Sequence, residues 1–224
     1  MAMETPRRAA AAHLRKRPDI SPNLLHLLGG ATREEAFAKL RTIIADRCLR
    51  GSDRAIRGGY GCVSFAEAPV RQLREVFRWS AEHDTELQPY GVLLGKDYLY
   101  SLGGRPVIYQ SDAEYEQLPE PLRWRHARYD PLADPPVDRT WEREWRLRST
   151  TLPLEPERCC IVVASEADRA ALFHEHAERE EIRLEAIGPA TGGSLADQLL
   201  ESFPWPVVSL DVFRETPSGA RAHA

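Results

Sequence analysis

The sequence predicts an α+β fold, in which a single domain has a mixed, mostly antiparallel sheet with flanking helices. Two observations predict this fold. Short apolar runs bounded by Gly and Pro are typical of buried strands. They are interspersed with longer segments in which apolar residues recur at helical spacing. The 224 residues are enough for one sizeable core, and a content of 42% hydrophobic and 29% charged residues excludes wholesale disorder.

The predicted domain spans residues 21–214 and lies between two segments without an apolar stripe. Residues 1–20 are rich in Arg and Ala, which indicates a flexible basic N-terminal arm. Residues 215–224 are expected to form a disordered tail. We therefore expect one folded unit with a terminal extension on each side.

The clearest helix is predicted to begin after Thr32, which Glu35 follows at the spacing of a capping box. Phe37, Leu40 and Ile44 then recur on one helical face. This pattern indicates a helix whose apolar face packs on the sheet.

Strands are predicted on both sides of this helix and in the middle of the chain. The apolar segment 23–28 precedes the helix, and a glycine-rich turn leads into a strand at 62–66. Further short apolar runs at 89–95, 105–110 and 159–165 indicate buried strands.

Two more helices and one long loop are also predicted. Pro69 opens a helix, and another helix spans about 166–180. Residues 111–138 are polar and proline-rich, which predicts a long loop with one helical turn. Loops of this length are usually functional or mobile, so this loop is a candidate lid.

Residues 140–150 alternate in the manner of a strand. Glu142 and Glu144 are predicted to share one face, roughly 7 Å apart from the strand rise, and Arg146 continues that face. Such a face meets solvent, a ligand or a partner rather than an apolar core. The alternative interpretation is a solvated face with ion pairs of little energetic value.

Composition and motif spacing exclude several classes of function. The formal net charge of −4 gives no global positive field for a long nucleic acid, although a local basic patch remains possible. The apolar runs are too short to cross a bilayer, and no signal peptide is recognisable, so a cytoplasmic protein without membrane association is expected. Four cysteines without framework spacing indicate reduced thiols, and no metal-ligand spacing exists.

Two further features are candidate binding elements, each with a structural alternative. The glycines at 58–61 permit close backbone approach to a ligand, and Tyr60 or Phe65 can stack on a flat ring. The alternative is a simple turn into a strand. His26, which lies among leucines, is either a ligand contact or a hydrogen-bonded core residue.

The order of these features resembles the ADP-ribosyltransferase superfamily. In that superfamily His or Arg, then Ser or Tyr, then Glu come in this order from three strands around an NAD cleft. Here the order is His26, then Ser64 within CVSFA after a glycine-rich lead, then Glu144 in a late strand. The resemblance implies an ADP-ribosyltransferase-like fold.

A closer resemblance covers about residues 23–163, which is most of the chain. Four segments in order are similar to the bacterial abortive-infection family often called AbiGi, namely CVSFAEAPVRQL, PYGVLLGKDYL, GGRPVIYQ and EREWR. The family implies antiphage defence in the bacterial cytoplasm and kinship with toxins that ADP-ribosylate DNA.

The resemblance implies NAD as substrate, no metal, and transfer of ADP-ribose to DNA, RNA or protein, or hydrolysis of NAD. Glu144 would stabilise the positive charge on the ribose, and Glu142 would position or deprotonate the acceptor. His26 would hydrogen-bond the adenosine ribose, with His13 as an alternative, and Ser64 would steady the strand or Glu144.

The remaining binding roles fall on aromatic and basic residues. Tyr60 or Phe65 would stack on nicotinamide. Arg146, Arg148 or an arginine of the 54–57 segment would contact the pyrophosphate.

Two alternatives to an enzyme follow from the same residues. The protein can be a non-catalytic antitoxin, sensor or nucleotide-binding partner in a defence module, with the Glu/Arg face as an interaction surface. It can also be a nucleic-acid-binding protein that uses the basic arm and the basic, aromatic segment 123–128. A neutralising or sensing partner protein is compatible with either role.

Overall fold

In a computed structural model, the described part of the protein contains a central four-stranded sheet and three smaller sheets. The structure describes residues 20–54, 56–67, 73, 75–77, 86–187 and 201–213. The strands are β1 Asn23–Gly29, β2 Cys48–Arg50, β3 Val63–Phe65, β4 Leu87–Gly95, β5 Arg105–Pro106, β6 Ile108–Gln110, β7 His126–Arg128, β8 Trp145–Leu147, β9 Thr151–Pro153, β10 Cys159–Val163 and β11 Val207–Ser209. The helices are α1 Arg33–Asp46, α2 Lys96–Ser101, α3 Asp112–Tyr115 and α4 Glu166–Ile187, with 3-10 turns at Glu120–Arg125, Thr140–Glu142 and Leu210–Phe213.

The protein contains both helices and sheets, and most of its strand pairs are antiparallel. Both observations confirm the prediction of a mixed α and β structure with mostly antiparallel pairing. The central sheet has the order β1-β4-β10-β11, and only its β10–β11 pair is parallel. A three-stranded antiparallel sheet has the order β3-β8-β5, and β2 pairs antiparallel with β9. β6 and β7 form a short parallel pair. Together with the helices, these sheets form one compact α/β body.

Helix α1 forms where the sequence predicts it and packs its apolar face on the central sheet. The Thr32 hydroxyl accepts a hydrogen bond from the Glu35 N–H at 3.2 Å, and the Glu35 carboxylate accepts one from the Ala31 N–H at 2.9 Å. Phe37 and Leu40 are buried in the main core together with apolar side chains of β1, β4 and β10. Local capping and apolar spacing thus determine both the start and the buried face of this helix.

The three-stranded sheet is joined to the central sheet through β1. Leu25 and Ala66 form an isolated antiparallel bridge, with N···O distances of 2.9 Å and 2.8 Å. β3 therefore lies beside β1 on one side and beside β8 on the other. This arrangement makes neighbours of three strands that are far apart in the sequence.

The predicted strand at 140–150 is much shorter than expected. Thr140–Glu142 form a 3-10 turn, Arg143 has a left-handed φ of 44°, and only Trp145–Leu147 are in strand conformation. Glu142 therefore lies outside the strand that carries Arg146. The strand predicted from the alternating pattern is confirmed only for Trp145–Leu147, which pair with β3 and β5.

The segment predicted as a long loop contains several short elements. The helix α3, a 3-10 turn and β7 lie within residues 111–138, and Tyr115 and Trp124 are buried. Helix α4 extends to Ile187, beyond its predicted end. None of the helices in the described part of the chain has the length and hydrophobicity needed to span a bilayer.

Some predictions fall on residues outside those that the structure describes. They include most of the arm at 1–20, the tail at 215–224 and most of the helix that opens at Pro69. Leu73 and Phe77 of that helix are described, and both are buried in a second core cluster with Leu25.

Candidate active site

Three neighbouring strands carry or adjoin the residues that the sequence analysis singled out. His26 lies on β1, Ser64 on β3, and Glu144 directly before β8. β1 is bridged to β3, and β3 pairs with β8. The chain order His, Ser, Glu is therefore also an order of adjacent strands.

The His26 ring is fixed between β3 and a surface cavity. Its Nδ1 lies 2.8 Å from the carbonyl oxygen of Ser64, so Nδ1 donates, since a carbonyl oxygen only accepts. Its ring meets that of Phe65 edge to face, with centroids 5.7 Å apart. Burial lowers the pKa of His26, although the hydrogen bond to Ser64 opposes this effect. A cavity of about 270 Å³, lined also by Lys39 and Asp46, lies beside the ring.

Glu144 is held by a two-pronged ion pair with Arg146. Nε of Arg146 lies 2.7 Å from Oε1 of Glu144, and Nη2 lies 3.1 Å from Oε2. The Arg146 residue is only 4% exposed, and its Nη1 donates to the carbonyl oxygens of Trp124 and His126 at 3.1 Å and 2.6 Å. The two carbonyl oxygens hold the Arg146 guanidinium in place, and the guanidinium in turn holds both oxygens of the Glu144 carboxylate. The position of this carboxylate is therefore set before any ligand binds.

Glu142 is a second carboxyl group, and it lies close enough to Glu144 for the two charges to interact. Burial and, next, the negative charge of Glu144 raise the pKa of Glu142 to about 7, against the opposing effects of Arg139 and Arg146. Near neutral pH the Glu142 carboxyl group is thus divided between its protonated and ionised forms. A carboxyl group whose pKa lies near neutral pH is suited to acid–base catalysis.

The structure does not bring all predicted groups to one face of the sheet. Ser64 lies opposite Arg146 in the β3–β8 pair, so these two side chains share a face, and Phe65 lies on the other. The His26 ring contacts Phe65, whereas the Glu144 carboxylate holds Arg146. His26 and Glu144 are thus on adjacent elements, but their side chains contact opposite faces of β3 and β8.

Tyr60 and Phe65, the two aromatic candidates for stacking on a ligand, differ in accessibility. Phe65 is 2% exposed and belongs to the main core. Tyr60 is half-buried, with the Arg148 guanidinium 4.9 Å from its ring centroid. The turn before Tyr60 needs glycine, because Gly58 and Gly59 have φ values of 90° and 69°. Tyr60 is the aromatic ring that a ligand can reach from outside.

Two residues of this region were missed by the sequence analysis. The Tyr109 hydroxyl accepts a hydrogen bond from the Glu144 N–H at 2.9 Å and donates to the Arg139 carbonyl oxygen at 3.2 Å. It therefore fixes the backbone at Glu144. The alternation of Tyr109 with the apolar residues of its short strand gave no sign of this role.

The second missed residue is Glu67, which is 9% exposed. Its carboxylate pairs with the Lys96 ammonium group at 2.5 Å and accepts a hydrogen bond from the Trp145 indole N–H at 3.1 Å. Its backbone N–H donates to the carbonyl oxygen of Glu142 at 2.9 Å. The sequence feature that could have indicated this role is the position of Glu67 directly after the CVSFA segment.

The segment 123–128 is less accessible than a nucleic-acid-binding strip would need to be. Trp124 and His126 are 8% and 3% exposed. Arg123 donates to the Leu118 carbonyl oxygen and pairs with Glu116. The buried rings are unavailable for stacking on bases.

The search for a metal site and the comparisons with known proteins both gave negative results. The residues that the structure describes contain no group of three or more His, Cys, Asp or Glu side chains that could hold a metal ion. Comparisons of the chain with protein-family models, with curated proteins and with solved structures found no match.

Proposed function

We propose that the protein binds NAD, breaks its nicotinamide–ribose bond and passes the ADP-ribose to a nucleic acid, a protein or water. The observation that carries this proposal is the carboxyl pair, in which Glu144 is fixed on Arg146 and Glu142 has a pKa of about 7. Its setting in bacterial antiphage defence, as a cytoplasmic toxin of an abortive-infection system, rests on the AbiGi resemblance.

The two carboxyl groups suit the two halves of this reaction. When the bond between ribose C1′ and the nicotinamide nitrogen breaks, its electron pair stays on nicotinamide and positive charge develops on the ribose. The Glu144 carboxylate would stabilise that charge. The acceptor oxygen then bonds to C1′, and its proton passes to Glu142, which is able to accept it near neutral pH.

The roles of the binding residues remain those that the resemblance implies. His26 would hydrogen-bond the adenosine ribose, Ser64 would steady the strand or Glu144, and Tyr60 would stack on the nicotinamide ring. Arg146 is committed to Glu144 and to two carbonyl oxygens, so we assign it to positioning Glu144 rather than to the pyrophosphate.

A non-catalytic role is the second candidate, and one observation favours it. The His26 ring and the Glu144 carboxylate contact opposite faces of the paired strands, so a single cleft that uses both needs them to rearrange. A sensor or antitoxin that binds a nucleotide or a protein would not need this convergence.

The test is NAD consumption by the purified protein, with Glu142→Gln as the main variant. This substitution keeps the shape of the side chain and removes only the proton acceptor, so kcat should fall by roughly 100-fold or more while the fold persists. Glu185→Gln, at an exposed position on α4, is the matched control and should retain full activity. Absence of NAD turnover in the wild-type protein, with NAD binding intact, would favour the non-catalytic role.

A further inference from the structure

A small cavity of about 170 Å³ lies where the C-terminal end of α1 meets α4 and the segment 204–205. Three basic residues line it, namely Arg47, which directly follows α1, and His176 and Arg179 of α4. Trp205, which is only 4% exposed, is a further part of the wall. None of these residues has a role in the proposed function, so the cavity is a separate candidate for ligand binding.

The backbone of Arg47 is fixed at the end of α1. Its φ is 49°, its N–H donates to the carbonyl oxygens of Ile43 and Ile44, and its carbonyl oxygen accepts the N–H of Leu154 at 2.8 Å. The guanidinium carbon lies 5.5 Å from the centroid of the Trp205 ring. Because that ring is held in the main core, the guanidinium lies against a rigid wall of the cavity.

The two basic residues of α4 are held by backbone carbonyl oxygens. Nε of Arg179 donates to the carbonyl oxygen of Glu175 at 3.1 Å. Nε2 of His176 lies 2.8 Å from the carbonyl oxygen of Glu201, to which it donates, since a carbonyl oxygen only accepts. These bonds restrain both side chains beside the cavity before a ligand arrives, so little ordering is needed on binding.

The charges in the cavity wall are predominantly positive. The carboxylate of Glu180 belongs to the wall, but it pairs with Arg183 at 2.6 Å. By contrast, the part of the chain that the structure describes provides no carboxylate within ion-pair distance of Arg47 or Arg179. The C-terminal end of α1 contributes only about half a negative elementary charge. Two guanidinium groups therefore leave a net positive charge, which favours an anionic ligand.

The size of the cavity and the shape of the guanidinium group indicate which anion fits. A volume of about 170 Å³ is below the roughly 300–1,000 Å³ of sites that enclose drug-sized molecules, so it suits a compact anion rather than a nucleoside. Each planar guanidinium offers parallel N–H donors that match two oxygens of a phosphate group. A tetrahedral phosphate has oxygens in several directions, so it can accept hydrogen bonds from both helices at once.

We propose that this cavity is a binding site for a small phosphate anion, which Arg47 and Arg179 contact through their guanidinium groups. His176 lies beside them and adds a third positive charge when it is protonated. The ligand class is inorganic phosphate, pyrophosphate or a small phosphate ester. The site shares no residue with the carboxyl pair, so it does not depend on NAD cleavage.

The test is calorimetric titration of the full-length protein with pyrophosphate, and with acetate at the same ionic strength. Acetate should bind at least about tenfold more weakly than pyrophosphate, because it offers one planar pair of oxygens and a single charge. Arg47→Gln and Arg179→Gln should each weaken pyrophosphate binding by about tenfold. Arg47→Lys keeps the charge but loses the forked donors, so its affinity should lie between those of the wild type and Arg47→Gln.

Arg169→Gln is the matched control. Arg169 also lies on α4 and over an aromatic ring, 5.6 Å from the centroid of Phe173, but it pairs with Glu166 at 3.2 Å. Its replacement removes the same charge from the same helix and should leave pyrophosphate affinity unchanged. Absence of pyrophosphate binding, equal affinity for acetate, unchanged affinity in both the Arg47→Gln and Arg179→Gln variants, or an equal loss in Arg169→Gln would overturn the proposal.

Titration with a short single-stranded DNA distinguishes a small-molecule site from a contact to nucleic-acid phosphates. The DNA should bind no more tightly than pyrophosphate, because the cavity has room for one compact anion. DNA binding that is lost in Arg47→Gln, without any pyrophosphate binding, would assign these arginines to a nucleic-acid surface and overturn the proposal. The titrations measure binding alone, so failure of NAD cleavage leaves their outcome unaffected, and unchanged circular dichroism spectra show that the variants fold.

Discussion

Replacing Glu142 by Gln should stabilise the protein at alkaline pH and leave its stability unchanged in acid. Burial and the nearby charge of Glu144 raise the pKa of Glu142 from 4.5 to about 7. That difference corresponds to roughly 3 kcal/mol of unfavourable ionisation in the folded state. The Gln amide resembles the protonated carboxyl group in shape and has no charge to bury.

The direction of this pH dependence is set by the state, folded or unfolded, in which Glu142 binds its proton more tightly. The folded state holds the Glu142 proton more tightly than the unfolded chain, so protonation stabilises the fold. This contribution is fully present below about pH 4.5 and is lost as pH rises through about 7. The unfolding free energy of Glu142→Gln relative to wild type should therefore rise from about zero at pH 4 to roughly 3 kcal/mol at pH 8.5.

Urea denaturation followed by circular dichroism at a series of pH values measures this difference. In thermal unfolding it corresponds to a rise in Tm of roughly 6–12 °C at pH 8.5 for a domain of this size. The control Glu185→Gln removes an exposed carboxylate and should show no such trend. A stability difference that is the same at pH 4 and pH 8.5 would refute the reasoning, because only a titrating group gives the slope.

The remaining predictions concern the ion pair, the first helix and the pH dependence of turnover. Glu144→Gln should lower the unfolding free energy by roughly 3–5 kcal/mol in urea denaturation, since Arg146 would be left buried without its carboxylate, and the double variant Glu144→Gln/Arg146→Met should recover much of that loss. Thr32→Ala should cost about 1 kcal/mol in the same assay by removing the acceptor for the Glu35 N–H, and Thr32→Ser should not. If Glu142 is the general base, kcat for NAD consumption should rise with pH through about 7 and lose that rise in Glu142→Gln, whereas an unchanged profile would exclude Glu142 as the base.

Elements with strong local signals were predictable from the sequence, and α1 is the clearest example. Its cap at Thr32 and its apolar residues at Phe37 and Leu40 act within a few residues of one another, so the sequence alone determines where the helix begins and which face is buried. The β3 strand was predictable for the same reason. Its apolar run is short, follows a glycine turn and is buried at Val63 and Phe65.

The geometry of the carboxyl pair was not predictable, because it depends on contacts distant in the chain. The alternation at 140–150 suggested one continuous strand, but Arg143 adopts a left-handed φ and Glu142 lies in a turn. The partner that fixes the backbone at Glu144 is Tyr109, 35 residues away. Which residues share a face could be predicted only where a strand continues without interruption.

The same interaction that would suit Glu142 to the proposed catalysis opposes the stability of the fold. Ionisation of Glu142 makes it a proton acceptor, and that ionisation is unfavourable in the folded state because the group is half-buried and lies beside the charge of Glu144. Positive charge on a bound ribose would relieve this repulsion, so a cationic ligand should lower the pKa of Glu142 and favour its ionised form. A purely structural carboxyl pair has no reason to keep this arrangement, since one neutral side chain at position 142 would avoid the cost. The proposed function would account for the carboxyl pair, because a ligand with developing positive charge would offset the repulsion between Glu142 and Glu144.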